Sequence, residues 1–153
     1  MKDIVTTRFG KIEVDEADII RFADGIPGFP EEQEFVMIPF GEDEPFIFMQ
    51  SLSEGDLAFL ITNPFIFFED YEFVLPDEVL NELQIKDITD FATYSILSIP
   101  NKNIKEMTAN LVAPLVINVH TKQASQVVLE KTSYTTRHRL FDDKKIRLTE
   151  GGR

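Results

Sequence analysis

The sequence predicts a mainly β protein: a small single domain of short antiparallel strands, in a sandwich or a closed barrel, with one or two short helices. Three observations carry that expectation. The apolar segments are short and rich in Val, Ile, Thr and Phe, as packed strands require. Pro and Gly punctuate them, mostly at segment ends, where a missing N–H does least damage to a ladder. Several apolar runs do not alternate with polar residues, which fits strands covered on both faces. At 153 residues the chain can bury about 70% of its unfolded surface without a metal or disulfide staple.

Taken in order, Asp3–Thr7 and Lys11–Val14 form an opening hairpin with Phe9-Gly10 at its turn. Ile19–Phe22 follows, and Gly25, Pro27 and Gly28 suit a tight turn before the strand Glu34–Pro39. Phe46–Gln50 and Leu57–Thr62 continue the sheet. The runs Phe35-Val36-Met37-Ile38, Phe46-Ile47-Phe48-Met49 and Leu57-Ala58-Phe59-Leu60-Ile61 need a second layer. Phe65-Ile66-Phe67-Phe68 is one source of it. A helix is expected from Pro76 to Leu83: proline starts it, Asp77 and Glu78 fill its first turn, and Val79, Leu80 and Leu83 share a face. Ala92–Ile99, Leu115–His120 and Gln126–Glu130 complete the strands, while Ile104–Asn110 reads equally as strand or helix. The β domain is assigned to residues 1–136. Residues 137–153 form a basic C-terminal tail, flexible or docking, with six Lys/Arg against three acids.

Charge and chemistry narrow the function. The net charge is −12, and it is unevenly placed: residues 1–100 carry −17 and residues 101–153 carry +5. Such a body repels a nucleic-acid backbone, so direct nucleic-acid binding is not expected; an acidic body with a basic end suggests a basic protein partner or simply a well-solvated surface. The absence of cysteine excludes thiolate catalysis and thiolate metal sites. Neither His120, in a strand pattern, nor His138, between two arginines that disfavour its protonated form, belongs to a metal-binding spacing. The glycines build no phosphate cradle, and the carboxylate clusters follow from an acidic composition. No catalytic residue, cofactor or metal is therefore expected. Met1 to Arg8 never reaches the apolar core of a signal peptide, and the longest apolar stretch falls far short of the ~20 residues of a membrane span. The expected location is cytoplasmic.

What remains is a binding surface. The segment from Asn63 to Phe73 interleaves aromatics with acids, so Phe65, Phe67, Glu69, Asp70, Tyr71 and Glu72 are the candidate partner-binding residues. Aromatic anchors supply desolvated contact while surrounding charge steers encounter.

Three stretches give this reading a family. They are Ile20-Arg21-Phe22-Ala23-Asp24-Gly25-Ile26-Pro27-Gly28-Phe29; Asn63-Pro64-Phe65 leading to Tyr71-Glu72-Phe73; and Met107-Thr108-Ala109-Asn110-Leu111-Val112-Ala113-Pro114-Leu115-Val116-Ile117-Asn118 followed by Gln126-Val127-Val128-Leu129. In that order, over residues 4 to 130, they resemble the flagellar assembly factor FliW family. The resemblance implies a β-barrel-like fold and a non-enzymatic cytoplasmic regulator with two protein partners, flagellin and the RNA-binding translational repressor CsrA. It implies partner switching: flagellin occupies the protein until exported, after which the protein captures CsrA and flagellin translation resumes. Two alternatives stand beside it: a flagellin chaperone alone, or a small ligand-binding β-barrel or carboxylate-dependent enzyme.

Overall fold

The computed structural model describes residues 1–41 and 45–141. Glu42-Asp43-Glu44 and residues 142–153 of the basic tail lie outside them. Along the chain run β1 (Lys2–Thr6), β2 (Gly10–Val14), β3 (Ile20–Phe22), β4 (Glu34–Pro39), β5 (Phe46–Ser51), β6 (Ala58–Thr62), α1 (Asp77–Glu82), β7 (Phe91–Ser98), β8 (Thr108–Ala109), β9 (Leu115–Asn118), β10 (Gln123–Gln126) and β11 (His138–Arg139). Several single 3-10 turns join them.

Pairing runs β7-β6-β5-β4-β3-β10-β9, and β9 pairs back onto β7, closing a seven-stranded barrel. Closure leaves the barrel without the long exposed edges that invite aggregation. Every ladder is antiparallel except β3 with β10, where Arg21 and Phe22 face Gln123 and Ala124 in parallel. The β1–β2 hairpin forms a separate two-stranded sheet. Its turn requires Gly10, at φ +69°, and is pinned by Thr6, whose Oγ1 accepts from Phe9 N–H at 2.8 Å and donates to Gly10 C=O at 3.0 Å.

The non-alternating runs are explained by two packed faces. Phe22, Phe35, Met49, Ile61, Leu115 and Ile117 fill the barrel interior with Met37, Ile47, Phe59, Tyr94 and Ile96 beside them. Phe22 and Phe35 are fully buried and meet edge to face at 5.6 Å. Residues alternating with these point outward and are covered in turn. Val36 and Ile38 lie under Ile4, Ile12 and Val14 of the hairpin. Phe46 and Leu60 lie under Phe67 and Phe68, the cover the sequence suggested. Val116 lies under Leu75, Val79 and Leu83 of the α1 region. Each such side chain contributes about 1.5–3 kcal/mol relative to exposure.

Two predicted strands end earlier than expected. β9 stops at Asn118 because its side-chain Oδ1 accepts from His120 N–H (2.8 Å) and Thr121 N–H (3.1 Å), turning the chain; His120 is therefore an exposed turn residue rather than a strand residue. The strand expected at Gln126–Glu130 is displaced to Gln123–Gln126. Beyond it, Val127 N–H still donates to Pro114 C=O at 2.9 Å and Leu129 N–H to Val112 C=O at 2.7 Å, but Pro114 has no N–H to return, so the regular ladder ends at Gln126. The ambiguous Ile104–Asn110 resolves into a 3-10 turn at Ile104–Glu106 and the short β8. The predicted helix forms as α1, with Val79 and Leu83 buried. Past residue 136 the sheet continues: β11 pairs with β8, Leu140 is buried, and its N–H donates to Met107 C=O at 3.1 Å.

Candidate partner-binding site

β6 ends where proline interrupts it. Asn63 Oδ1 accepts from Phe65 N–H at 2.9 Å, Pro64 opens a 3-10 turn, and Phe67 and Phe68 N–H both donate back to Pro64 C=O. The chain then crosses the outside of the barrel as a strap over residues 63–75. Tyr71 nails the strap down. It is 4% exposed, its hydroxyl donates to Leu111 C=O at 2.7 Å, and its ring packs edge-on against Tyr134 at 4.8 Å. Tyr134 Oη in turn accepts from Glu72 N–H at 3.1 Å. Burial, with Tyr134 adding, pushes the Tyr71 phenol far above its ordinary range.

The six candidate residues therefore divide. Phe65, Glu69, Asp70 and Glu72 are exposed, and the three acids make no ion pair among the described residues. Phe67 is half-buried, stacked on Phe46 at 5.9 Å and met edge-on by Phe141 at 6.0 Å. Tyr71 faces inward. Both aromatics support the surface from beneath, and Phe65 is the one of the three that offers a face to solvent.

Beside the strap runs a groove of about 760 Å³. One wall is the strap, from Phe65 to Leu75; the other is Leu80, the 85–88 loop and the start of β7. Val74 and Ile88 stand at its rims, 88% and 77% exposed. The 86–90 loop is held by Asp90, whose Oδ2 accepts from Lys86 N–H (2.9 Å) and Asp87 N–H (3.0 Å), while Oδ1 meets His120 Nε2 at 3.2 Å. Those bonds, Lys86 N–H foremost, hold the Asp90 carboxyl below the usual carboxylate range; the Thr89 hydroxyl does the same for Asp87. Sequence reasoning missed this second wall. Leu80, Ile88 and Phe91 are separated from the strap in sequence, and only the topology brings them beside it.

On the strap's far side, His138 packs against Phe68 and Tyr134, and its Nε2 accepts from Thr135 N–H at 2.8 Å. Its pKa is lowered as expected, but the cause is burial rather than the neighbouring arginines. Among the described residues no group of three or more His, Asp or Glu is placed to hold a metal, and no helix is long and apolar enough to cross a membrane.

The molecule is thus a closed barrel, filled by side chains, that carries an external strap with exposed acids beside an apolar groove. The FliW protein family matches residues 3–140, and the chain belongs to that family of flagellar assembly factors. It is 45% identical over 150 residues to the flagellar assembly factor FliW of Desulfitobacterium hafniense (strain DSM 10664 / DCB-2), covering 97% of this chain and 98% of that one. It is 48% identical over 141 residues to that of Geobacillus thermodenitrificans (strain NG80-2), covering 92% and 96%. A crystal structure of the flagellar assembly factor FliW superposes with a TM-score of 0.85 at 46% identity, covering 94% of this chain and 99% of that one.

Proposed function

We propose that this protein is a cytoplasmic regulator that binds flagellin and captures the translational repressor CsrA, the two partners excluding each other. Family membership supports the role, and one observation carries its extension to this molecule: a strap held by hydrogen bonds presents Glu69, Asp70 and Glu72 outward, without ion-pair partners among the described residues, beside an apolar groove. Unpaired carboxylates on a fixed frame attract a basic RNA-binding protein at range and repel its RNA. Mutual exclusion then couples the two affinities reciprocally, so export of one partner raises capture of the other. No cofactor takes part in this reading. The exposed apolar rims at Val74 and Ile88 favour a second reading, a flagellin chaperone alone, since they suit an apolar client as well as a basic one.

The test is calorimetry with purified CsrA from the same organism at two salt concentrations, with and without saturating flagellin. Salt-sensitive binding abolished by flagellin is expected. Flagellin binding without CsrA binding selects the chaperone, and failure of both removes the proposal. Replacing Glu69, Asp70 and Glu72 together by Lys should weaken CsrA at least tenfold with the fold retained; native affinity in that variant excludes the strap as the contact.

A further inference from the structure

Strand β7 carries an unfinished edge. Its ladder to β6 comprises Ile96 with Ile61 and Ser95 with Thr62, and ends there because Pro64 turns the chain away. On its other side β7 pairs with β9 from Phe91 to Tyr94 and with β8 at Leu97 and Ser98. The direction of each backbone group follows from two bonds. Val119 N–H donates to Asp90 C=O at 2.9 Å and Asn110 N–H to Ile96 C=O at 3.0 Å, so even-numbered residues direct their backbone groups towards β9 and β8. Odd-numbered residues face the β6 side. For Ser95 that side holds Thr62; for Phe91 and Thr93 it holds the groove. Among the described residues the backbone N–H and C=O of Phe91 and Thr93 have no hydrogen-bond partner on that side. Two open ladder positions therefore line an apolar groove of about 760 Å³.

Charge selects what fills it. The groove lining itself carries two acids, Glu72 and Asp87, and one base, Lys86, and residues 63–94 around it hold eight acids and that one base. We propose that the open edge of β7 at Phe91 and Thr93 is a strand-addition site, taking an extended, positively charged segment of a partner protein. Main-chain bonds to the two open positions supply register, and the groove takes alternate side chains of the incoming strand. Its other side chains face solvent, where Glu72 and Asp87 receive Lys or Arg. The inference rests on the reading of this protein as a binder of CsrA and flagellin, and deepens it by giving the mode of recognition.

The experiment is amide hydrogen exchange, read by NMR on the full chain, with purified CsrA and purified flagellin added separately. CsrA should slow exchange at Phe91 and Thr93 at least tenfold; Ala92 and Tyr94, already bonded to β9, serve as internal controls. Thr93→Pro removes a donor the barrel does not use and should weaken CsrA about tenfold, roughly the loss of one hydrogen bond. Since that variant can fail to fold, Val74→Lys with Ile88→Lys alters two exposed rim positions and should weaken a cationic segment comparably. CsrA binding without protection at Phe91 and Thr93, as by a helix lying in the groove, overturns strand addition and leaves the partner reading standing. Protection by flagellin alone overturns the cationic occupant. Failure of both partners to bind overturns this inference and the proposed function together.

Discussion

Replacing Tyr71 by Phe removes one oxygen atom from the anchor of the strap and nothing else. The hydroxyl is buried and donates to Leu111 C=O at 2.7 Å, so its loss leaves a buried carbonyl without that donor. The cost of such an orphaned group is about 1–3 kcal/mol. The ring stays, and with it the contacts to Tyr134 at 4.8 Å and Phe73 at 5.3 Å. Tyr71→Ala, by contrast, also empties a packed site, and aromatic truncation of that kind costs about 3–5 kcal/mol. The assay is urea denaturation at pH 7, followed by tyrosine fluorescence and circular dichroism. A second axis separates the hydroxyl from general packing. Because burial raises the folded-state pKa of Tyr71 above its unfolded value of about 10, the neutral phenol stabilises the fold below that pH. This stability is lost as pH rises from the unfolded value towards the folded one. Tyr71→Phe should therefore be less stable at neutral pH and lose less stability on going alkaline; Tyr94, also raised by burial, sets the residual slope. Native stability at pH 7 together with an unchanged alkaline slope refutes the anchor.

Three further perturbations probe other parts of the frame. Asn118→Ala deletes an amide that joins the end of α1 to the β9–β10 turn, donating to Leu83 C=O at 2.7 Å and accepting from His120 and Thr121; a loss of about 2–4 kcal/mol is expected in denaturant midpoints. Gly25→Ala places a Cβ at φ +69°, 2.5 Å from Pro30 C=O, and should cost about 2–4 kcal/mol by thermal melting, more than strain alone. His138 is held neutral by burial and by accepting from Thr135, so its contribution is present above its unfolded value of about 6.5 and is lost as pH falls through its lower folded value. Denaturation at pH 7.5 and 5.5 should show an acid loss that His138→Gln reduces.

The barrel was legible because its strands carry two apolar faces. Phe35-Val36-Met37-Ile38 cannot alternate when Phe35 and Met37 face the interior and Val36 and Ile38 lie under the hairpin. The same density hid the strand ends. β9 ends through a side-chain turn at Asn118, and β10 ends where Pro114 cannot answer Val127. Neither event alters hydrophobic periodicity, which is what strand prediction reads. The parallel β3–β10 seam was equally silent, since pairing partners 102 positions apart leave no local mark. At the candidate site the strap was legible as aromatics among acids, and its acids do face outward. Which aromatics face outward was not, because a buried Tyr71 and an exposed Phe65 look alike until Leu111 and Tyr134 are brought beneath the strap.

On the proposed partner-binding role, that inward packing is what gives the exposed acids their value. A carboxylate on a flexible loop must be ordered when a partner arrives, and each immobilised side chain then costs about 0.5–1.5 kcal/mol of binding. Here the backbone at Glu72 is already fixed by Tyr134, the turn before Glu69 by Pro64, and the segment between them by Tyr71. Loosening Tyr71 should consequently slow partner association little, since long-range attraction depends on charge alone, but should speed dissociation, since the contact geometry is no longer held. Replacing the acids should act in the opposite sense, chiefly on association and on its salt dependence. The two classes of variant separate steering from fit on a single strap, and equal effects of both on the association rate would show that the strap's rigidity plays no part.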